Sequence, residues 1–140
     1  MKILAVDFGM RRIGFAIGNP LIHTITPIDP LIRKNSKQAV DHIRQLVDTY
    51  EITHVIVGYP LNMDGTRSSF TEQVEHFTQR LKKRLGPDIP IDFIDERLSS
   101  FEAEEELKTH PMGNIDHRKK KKMLDSMSAQ VLLKRFMEIT

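Results

Sequence analysis

The first eighteen residues constrain the fold more than any other stretch of the chain. Residues 3–6 form a short, wholly apolar run, typical of a strand covered on both faces, and the run leads directly into Asp7. Gly9 and residues 10–12 predict a turn and residues 13–17 a second strand, so the stretch predicts a β-hairpin. An ionised carboxylate at the end of a buried strand is costly unless a cation, a metal or several hydrogen-bond donors meet it. Asp7 therefore either binds such a group or accepts hydrogen bonds from the turn amides.

The rest of the chain predicts a mixed α/β fold with the element order β β β α β α β α α. After the hairpin we expect strands at 21–28, 54–57 and 89–94, and helices at 36–50, 69–85, 99–108 and 123–139. Three meandering strands followed by αβ units predict one domain over residues 1–140, a five-stranded mixed sheet with helices on both faces. Ligands in such sheets gather at the carboxyl ends of the strands, where Asp7 and Glu96 are expected.

Composition excludes several classes of protein. The 140 residues include no cysteine, which rules out disulfides and thiolate metal sites. A hydrophobic content of 39% and a charged content of 29% fit a globular domain, and no apolar stretch approaches the ~20 residues that span a bilayer. We therefore expect a cytoplasmic protein with no membrane partner. Because the net charge is only +2, any basic surface must come from clustering of cations.

Three acids are candidates for a metal site. Asp7 and Glu96 follow predicted strands, and Asp125 shares a small and apolar helix stripe with Ala129 and Leu132. Asp125 alone is equally explained by a favourable interaction with the helix dipole. Three converging carboxylates repel one another unless cations neutralise them, and oxygen ligands without cysteine or clustered histidine favour Mg²⁺ or Mn²⁺. Two such ions activate water and stabilise the leaving oxygen of a phosphodiester.

Two further features fit an anionic substrate. Ser69 with Glu72, and Ser99 with Glu102, predict capping boxes whose helix N-termini face phosphate. A dense cationic run precedes the last predicted helix and is either a nucleic-acid contact or a solvated loop; it comprises Arg118, Lys119, Lys120, Lys121 and Lys122. The predicted nucleic-acid contacts also include Arg12 and Arg97, which lie close to Asp7 and Glu96 in the sequence.

Four stretches together resemble the YqgF (RuvX) family: Asp7-Phe8-Gly9 with residues 12–16, and residues 58–65, 95–99 and 125–129. They occur in the order and spacing of that family and span essentially the whole chain. The resemblance implies an RNase H-like fold, kinship with Holliday-junction resolvases of the RuvC kind, and a nuclease that matures the 5′ end of pre-16S rRNA. It also implies that Asp7, Glu96 and Asp125 form the catalytic, metal-binding acidic triad.

The leading hypothesis is a two-metal-ion endo- or exonuclease acting on structured RNA, such as precursor rRNA in ribosome biogenesis. A resolvase that cuts branched DNA is the alternative within the same class, and a nucleic-acid-binding module without turnover is the alternative of another class. An Asp-x-Gly hairpin also begins the fold of the actin and sugar-kinase ATPases. Those proteins need two such lobes around the nucleotide, and 140 residues form only one, so we exclude this class. We expect a monomer or a weak homodimer.

Overall fold

The computed structural model describes residues 1–96 and 117–139, apart from the side chains of residues 117–126 and 139. Within these ranges the chain forms β1 (Ile3–Phe8), β2 (Arg12–Asn19), β3 (Thr24–Ile32), α1 (Ser36–Tyr50), β4 (His54–Tyr59), α2 (Ser69–Leu85), β5 (Ile91–Asp95) and α3 (His117–Ile139). The helix predicted over 99–108 and the capping box at Ser99 lie outside the described residues.

The five strands form one mixed sheet in the order β3-β2-β1-β4-β5. β1 pairs antiparallel with β2, and β2 antiparallel with β3, whereas β1 with β4 and β4 with β5 are parallel. β3 lies at an edge, as expected for a strand whose Pro27 and Pro30 have no amide proton to donate. It runs further than predicted because its pairing with β2 continues as far as Ile32. The predicted mixed sheet is confirmed.

Side-chain alternation in β1 divides the core between the two faces of the sheet. Leu4, Val6 and Phe8 pack with residues of α1 and α2 on one face. Ile3 and Ala5 pack on the other face against α3, through Ala129, Leu132 and Leu133. β1 is therefore the buried centre of the molecule, which explains why its sequence is an almost unbroken apolar run.

The bounds of α1 and α2 agree with the predicted ranges 36–50 and 69–85, but the residues that cap the two helices differ from the expected ones. Asn35 rather than Ser36 caps α1, and its side chain accepts a hydrogen bond from the Gln38 amide. The capping box predicted for Ser69 and Glu72 is wrong: Ser68 caps α2 and exchanges hydrogen bonds with Thr71. The Thr71 hydroxyl also donates to the carbonyl of Pro60. This tertiary contact, which sequence spacing does not reveal, favours Ser68 over Ser69 as the cap of α2.

The last helix is longer than predicted. α3 begins at His117, so the cationic run 118–122 is helical rather than a loop before the helix. Lysine and arginine are good helix formers, and the run lacked only the apolar periodicity on which the prediction relied. None of the helices in residues 1–96 and 117–139 has the length and apolarity needed to cross a bilayer.

The direction of α3 follows from two contacts with β4. Leu132 packs against Gly58 at the carboxyl end of β4, and the Phe136 ring lies 5.1 Å from the His54 ring at its amino end. α3 therefore runs antiparallel to β4. Residues that precede Leu132 in α3 continue towards the carboxyl edge of the sheet.

Candidate active site

Strand register places Asp7 and Glu96 on either side of Gly58. Val6 pairs with Val57, so Asp7 lies level with Gly58, and Gly58 pairs in turn with Ile94 of β5. Because side chains alternate along a strand, Asp7, Gly58 and Glu96 all belong to the face that α3 covers. Asp7 and Glu96 therefore lie at the same edge of the sheet, where the carboxyl ends of the parallel strands β1, β4 and β5 meet.

The Glu96 side chain reaches over Gly58 to hydrogen-bond with Asp7. Its backbone is held by a hydrogen bond of 3.2 Å from the Glu96 amide to the Tyr59 carbonyl. Arg135 of α3 donates from Nη1 to the Asp95 carbonyl at 3.0 Å, which ties the end of β5 to the helix. The predicted convergence of Asp7 and Glu96 is therefore present in the structure.

Gly58 was not predicted from the sequence as a residue of this site. A Cβ atom there would collide with Oε2 of Glu96 and lie 3.1 Å from both Cδ of Glu96 and Cδ1 of Leu132. Its φ is not positive, so the position requires glycine for space rather than for backbone freedom. A glycine inside an otherwise apolar strand often marks such a close approach, and that signal was visible in the sequence of β4.

The neighbouring turn is closed by Gly9 and Arg33. The Gly9 amide donates to the Arg12 carbonyl at 2.9 Å, and a Cβ atom on Gly9 would collide with that carbonyl. Nη1 of Arg33 donates to the Gly9 carbonyl at 3.1 Å, while its guanidinium lies 4.5 Å from the centre of the Phe8 ring. Arg33, which follows β3, therefore stabilises the turn after Asp7.

The carboxyl of Glu96 holds its proton unusually tightly. Burial is the largest cause, followed by the charge of Asp7, the hydrogen bond with Asp7 and the charge of Asp95; together they raise the pKa of Glu96 to about 9. At pH 7 the two acids therefore share one proton, as like-charged carboxylates in contact do. A divalent cation fits the same pair of oxygen donors, because its charge removes the repulsion that the proton otherwise relieves.

A pH dependence of stability follows for the metal-free protein. In the unfolded chain Glu96 loses its proton near pH 4.5, whereas in the folded protein it keeps it up to about pH 9. Stability is therefore expected to fall as the pH rises through this window. Glu96→Gln, which mimics the protonated acid, is expected to lack this loss. Urea unfolding in EDTA at about pH 5 and about pH 8.5 measures the free energy of unfolding of each protein. An equal pH dependence in the wild type and in Glu96→Gln would contradict the shared proton.

The other predicted site residues are less fully placed. Asp125 lies in α3, and its side chain is outside the part that the structure describes. Ala129 and Leu132, the positions predicted to share its stripe, are both fully buried.

Arg12 starts β2 and is half-buried. Arg97 lies outside the described residues, as do the side chains of the run 118–122. Among the side chains described, no three acids or histidines converge. The described acids that meet at this edge are Asp7 and Glu96.

Comparison with known proteins gives a consistent result in sequence and fold. A family model described as "RuvX: Holliday junction resolvase" matches residues 1–139. A protein of Maridesulfovibrio salexigens named "Putative pre-16S rRNA nuclease" is 35% identical over 95% of this chain and 95% of its own length.

Two solved structures share the fold at low sequence identity. The fowlpox virus Holliday junction resolvase has a TM-score of 0.61 at 15% identity, with both chains fully covered. RuvC of T. thermophilus in complex with a Holliday junction substrate has a TM-score of 0.62 at 8% identity, covering 99% of this chain and 96% of the other. They confirm the RNase H-like α/β fold, and the match over residues 1–139 shows that this chain belongs to the RuvX family.

Proposed function

We propose that residues 1–140 form a single nuclease domain that hydrolyses phosphodiester bonds with the help of Mg²⁺ or Mn²⁺. The observation that carries this proposal is the Asp7–Glu96 pair, two acids in hydrogen-bond contact at the carboxyl edge of the sheet. This edge is where ligands gather in open α/β sheets. Membership of the RuvX family, whose model is described as a Holliday junction resolvase, supports the reaction class.

Asp7, Glu96 and Asp125 are the residues that would hold the cations. The support for Asp125 is geometric: it lies seven residues before Leu132, which is about two helical turns and nearly the same helix face. Because α3 runs antiparallel to β4, those two turns lead from Gly58 towards the carboxyl edge. When bound, two divalent cations supply a Lewis acid and an activated water for phosphodiester hydrolysis. Loading the site requires release of the proton that Glu96 holds at pH 7.

The proposed substrate is structured RNA, the 5′ end of pre-16S rRNA, in the cytoplasm. Its support is the name carried by similar proteins, such as that of Maridesulfovibrio salexigens. Arg12, Arg97 and the cationic run 118–122 are proposed to contact the phosphate backbone. The helical backbone of the run favours this role, since lysines on a regular helix can follow a phosphate chain without reading its bases.

The test compares two substrates with one purified protein at equal salt. Wild-type protein with Mg²⁺ or Mn²⁺ is expected to cleave a precursor 16S rRNA fragment at its 5′ side and to leave a four-way DNA junction largely intact. EDTA is expected to abolish the cleavage, which checks the need for a metal. Cleavage of neither substrate under any metal would favour a binding module without turnover.

A resolvase acting on branched DNA is the second candidate. It is favoured by the description of the family model and by the fold shared with two solved resolvases. Metal-dependent phosphodiester chemistry is common to both candidates, so the active site does not separate them. Efficient cutting of the junction without action on the RNA would establish this second function.

A further inference from the structure

A basic groove lies between the first two helices, away from the Asp7–Glu96 pair. We call it the α1–α2 groove; it encloses about 470 Å³ and is lined by Ser36, Lys37, Val40 and Asp41 of α1 and Arg80, Lys83 and Arg84 of α2. Both helices pack on the face of the sheet opposite α3. The groove is therefore separate from the cationic run 118–122, which belongs to α3.

The charges of the α1–α2 groove are unbalanced. Four cations line it with one carboxylate, and that carboxylate, Asp41, lies 3.3 Å from Nε of Arg84. Lys37, Arg80 and Lys83 are exposed, and no acid of residues 1–96 or 127–138 forms an ion pair with them. Three cations thus face one opening without compensation from the part of the chain that the structure describes.

Helix stability accounts for only part of this arrangement. Lys83 and Arg84 lie in the last turn of α2, where cations interact favourably with the helix dipole. Lys37 lies in the first turn of α1, where the dipole disfavours a cation and where no acid compensates it. Arg80 precedes the last turn of α2 and gains little from the dipole. Exposed like charges on facing helices repel one another, and an anion bound between them lowers that repulsion.

Arg33 connects the α1–α2 groove to the turn that follows Asp7. Lys37 follows Arg33 by four residues, so their Cα atoms are at most ~14 Å apart. Arg33 in turn donates to the carbonyl of Gly9, two residues after Asp7. Arg33 and Lys37 therefore provide two cations between the turn that follows Asp7 and the groove, and a polyanion that bends around this edge of the sheet can contact both.

We propose that the α1–α2 groove binds the phosphate backbone of the nucleic-acid substrate, on a duplex arm that flanks the cleaved bond. This proposal rests on the proposed function, since it takes the substrate to be a nucleic acid. The occupant is chosen by charge complementarity: two exposed lysines and one exposed arginine, which form no ion pair with the side chains that the structure describes, suit a chain of phosphates, which they contact without reading its sequence. The groove adds affinity and orientation and takes no part in bond cleavage.

The test measures duplex binding with no divalent metal, so that it does not depend on cleavage. The triple variant Lys37→Gln/Arg80→Gln/Lys83→Gln is compared with wild type on a labelled RNA duplex and a labelled DNA duplex of equal length, at several salt concentrations. Weaker binding is expected on both, with a salt-dependence slope on DNA reduced by up to about 0.9 for each lost phosphate contact. Thermal unfolding verifies that the variant remains folded.

Two single variants supply matched controls. Lys82→Gln removes the same charge from the neighbouring position of α2, which does not line the groove, and is expected to change binding less than Lys83→Gln. Lys83→Arg keeps the charge and is expected to bind as wild type does. Equal losses for Lys82→Gln and Lys83→Gln, or unchanged binding by the folded triple variant, would overturn the groove proposal. In either case cleavage by the wild type would leave the proposed function standing, whereas a wild type that neither binds the duplexes nor cleaves the precursor RNA would overturn both.

Discussion

Asp7→Asn and Glu96→Gln are each expected to lower the cleavage rate by about a thousandfold or more. The reason is that each removes a carboxylate from the pair proposed to hold the cations, which supply several kcal/mol of transition-state stabilisation, and each 1.36 kcal/mol is tenfold in rate. The metal-free fold is expected to remain intact in both variants, because each amide leaves the pair with at most one negative charge, as the shared proton does in the wild type at pH 7. Single-turnover cleavage of precursor RNA and urea unfolding in EDTA measure the two effects.

Asp92→Asn is the matched control for this experiment. Asp92 also lies in β5, but its carboxylate lies 2.8 Å from Nε2 of His54, at the opposite end of β4 from the acid pair. Its loss is expected to leave cleavage close to wild type. Asp125→Asn extends the test to the third proposed acid, and wild-type turnover by that variant would remove Asp125 from the site.

Gly58→Ala is expected to have the second-largest effect, although it changes no chemical group of the site. The added methyl group meets Oε2 of Glu96, the far end of a flexible side chain, so the carboxylate moves while the strand stays in place. Glu96 then no longer reaches Asp7 in the same geometry. We expect the Mg²⁺ concentration for half-maximal cleavage to rise ~10- to 100-fold, the range typical of residues that orient metal ligands. A magnesium titration of the cleavage rate measures it.

Gly18→Ala separates this effect from simple crowding. Its Cβ atom would lie 3.0 Å from Leu133 Cδ2 and from Met137 Sδ, so it crowds the same helix without touching Glu96. It is expected to lower the free energy of unfolding and to leave the magnesium requirement unchanged. The positioning role of Gly58 would be disproved if both alanine variants lost activity only in proportion to their loss of stability.

Local patterns in the sequence determine most of the fold. The apolar run before Asp7 predicts a strand buried on both faces, and β1 is the central strand of the sheet. Proline placement predicts that β3 lies at an edge, and the alternation of strands and helices predicts parallel pairing for β4 and β5. These features follow from the sequence because strand burial, turns and crossover connections depend on neighbouring residues.

Helix boundaries were less predictable because their caps depend on contacts from elsewhere in the chain. Thr71, whose hydroxyl also donates to the Pro60 carbonyl, favours Ser68 over the predicted Ser69 as the cap of α2. The start of α3 differs by six positions because helix propensity, rather than apolar periodicity, governs the cationic run. Neither outcome changes which face of the sheet these helices cover.

Asp7 and Glu96 were identified as site candidates from the sequence alone, since each was predicted to follow a strand whose carboxyl end meets the same edge. Only the tertiary structure decided how the two acids meet. The raised pKa of Glu96 requires burial and the charge of a residue 89 positions away, and the space for its carboxylate requires the missing side chain of Gly58 on the strand between them. The α1–α2 groove likewise combines cations from two helices that are separate in the sequence. Charge interactions and steric exclusion act over a few ångströms in space, and such proximity between distant residues exists only in the folded chain.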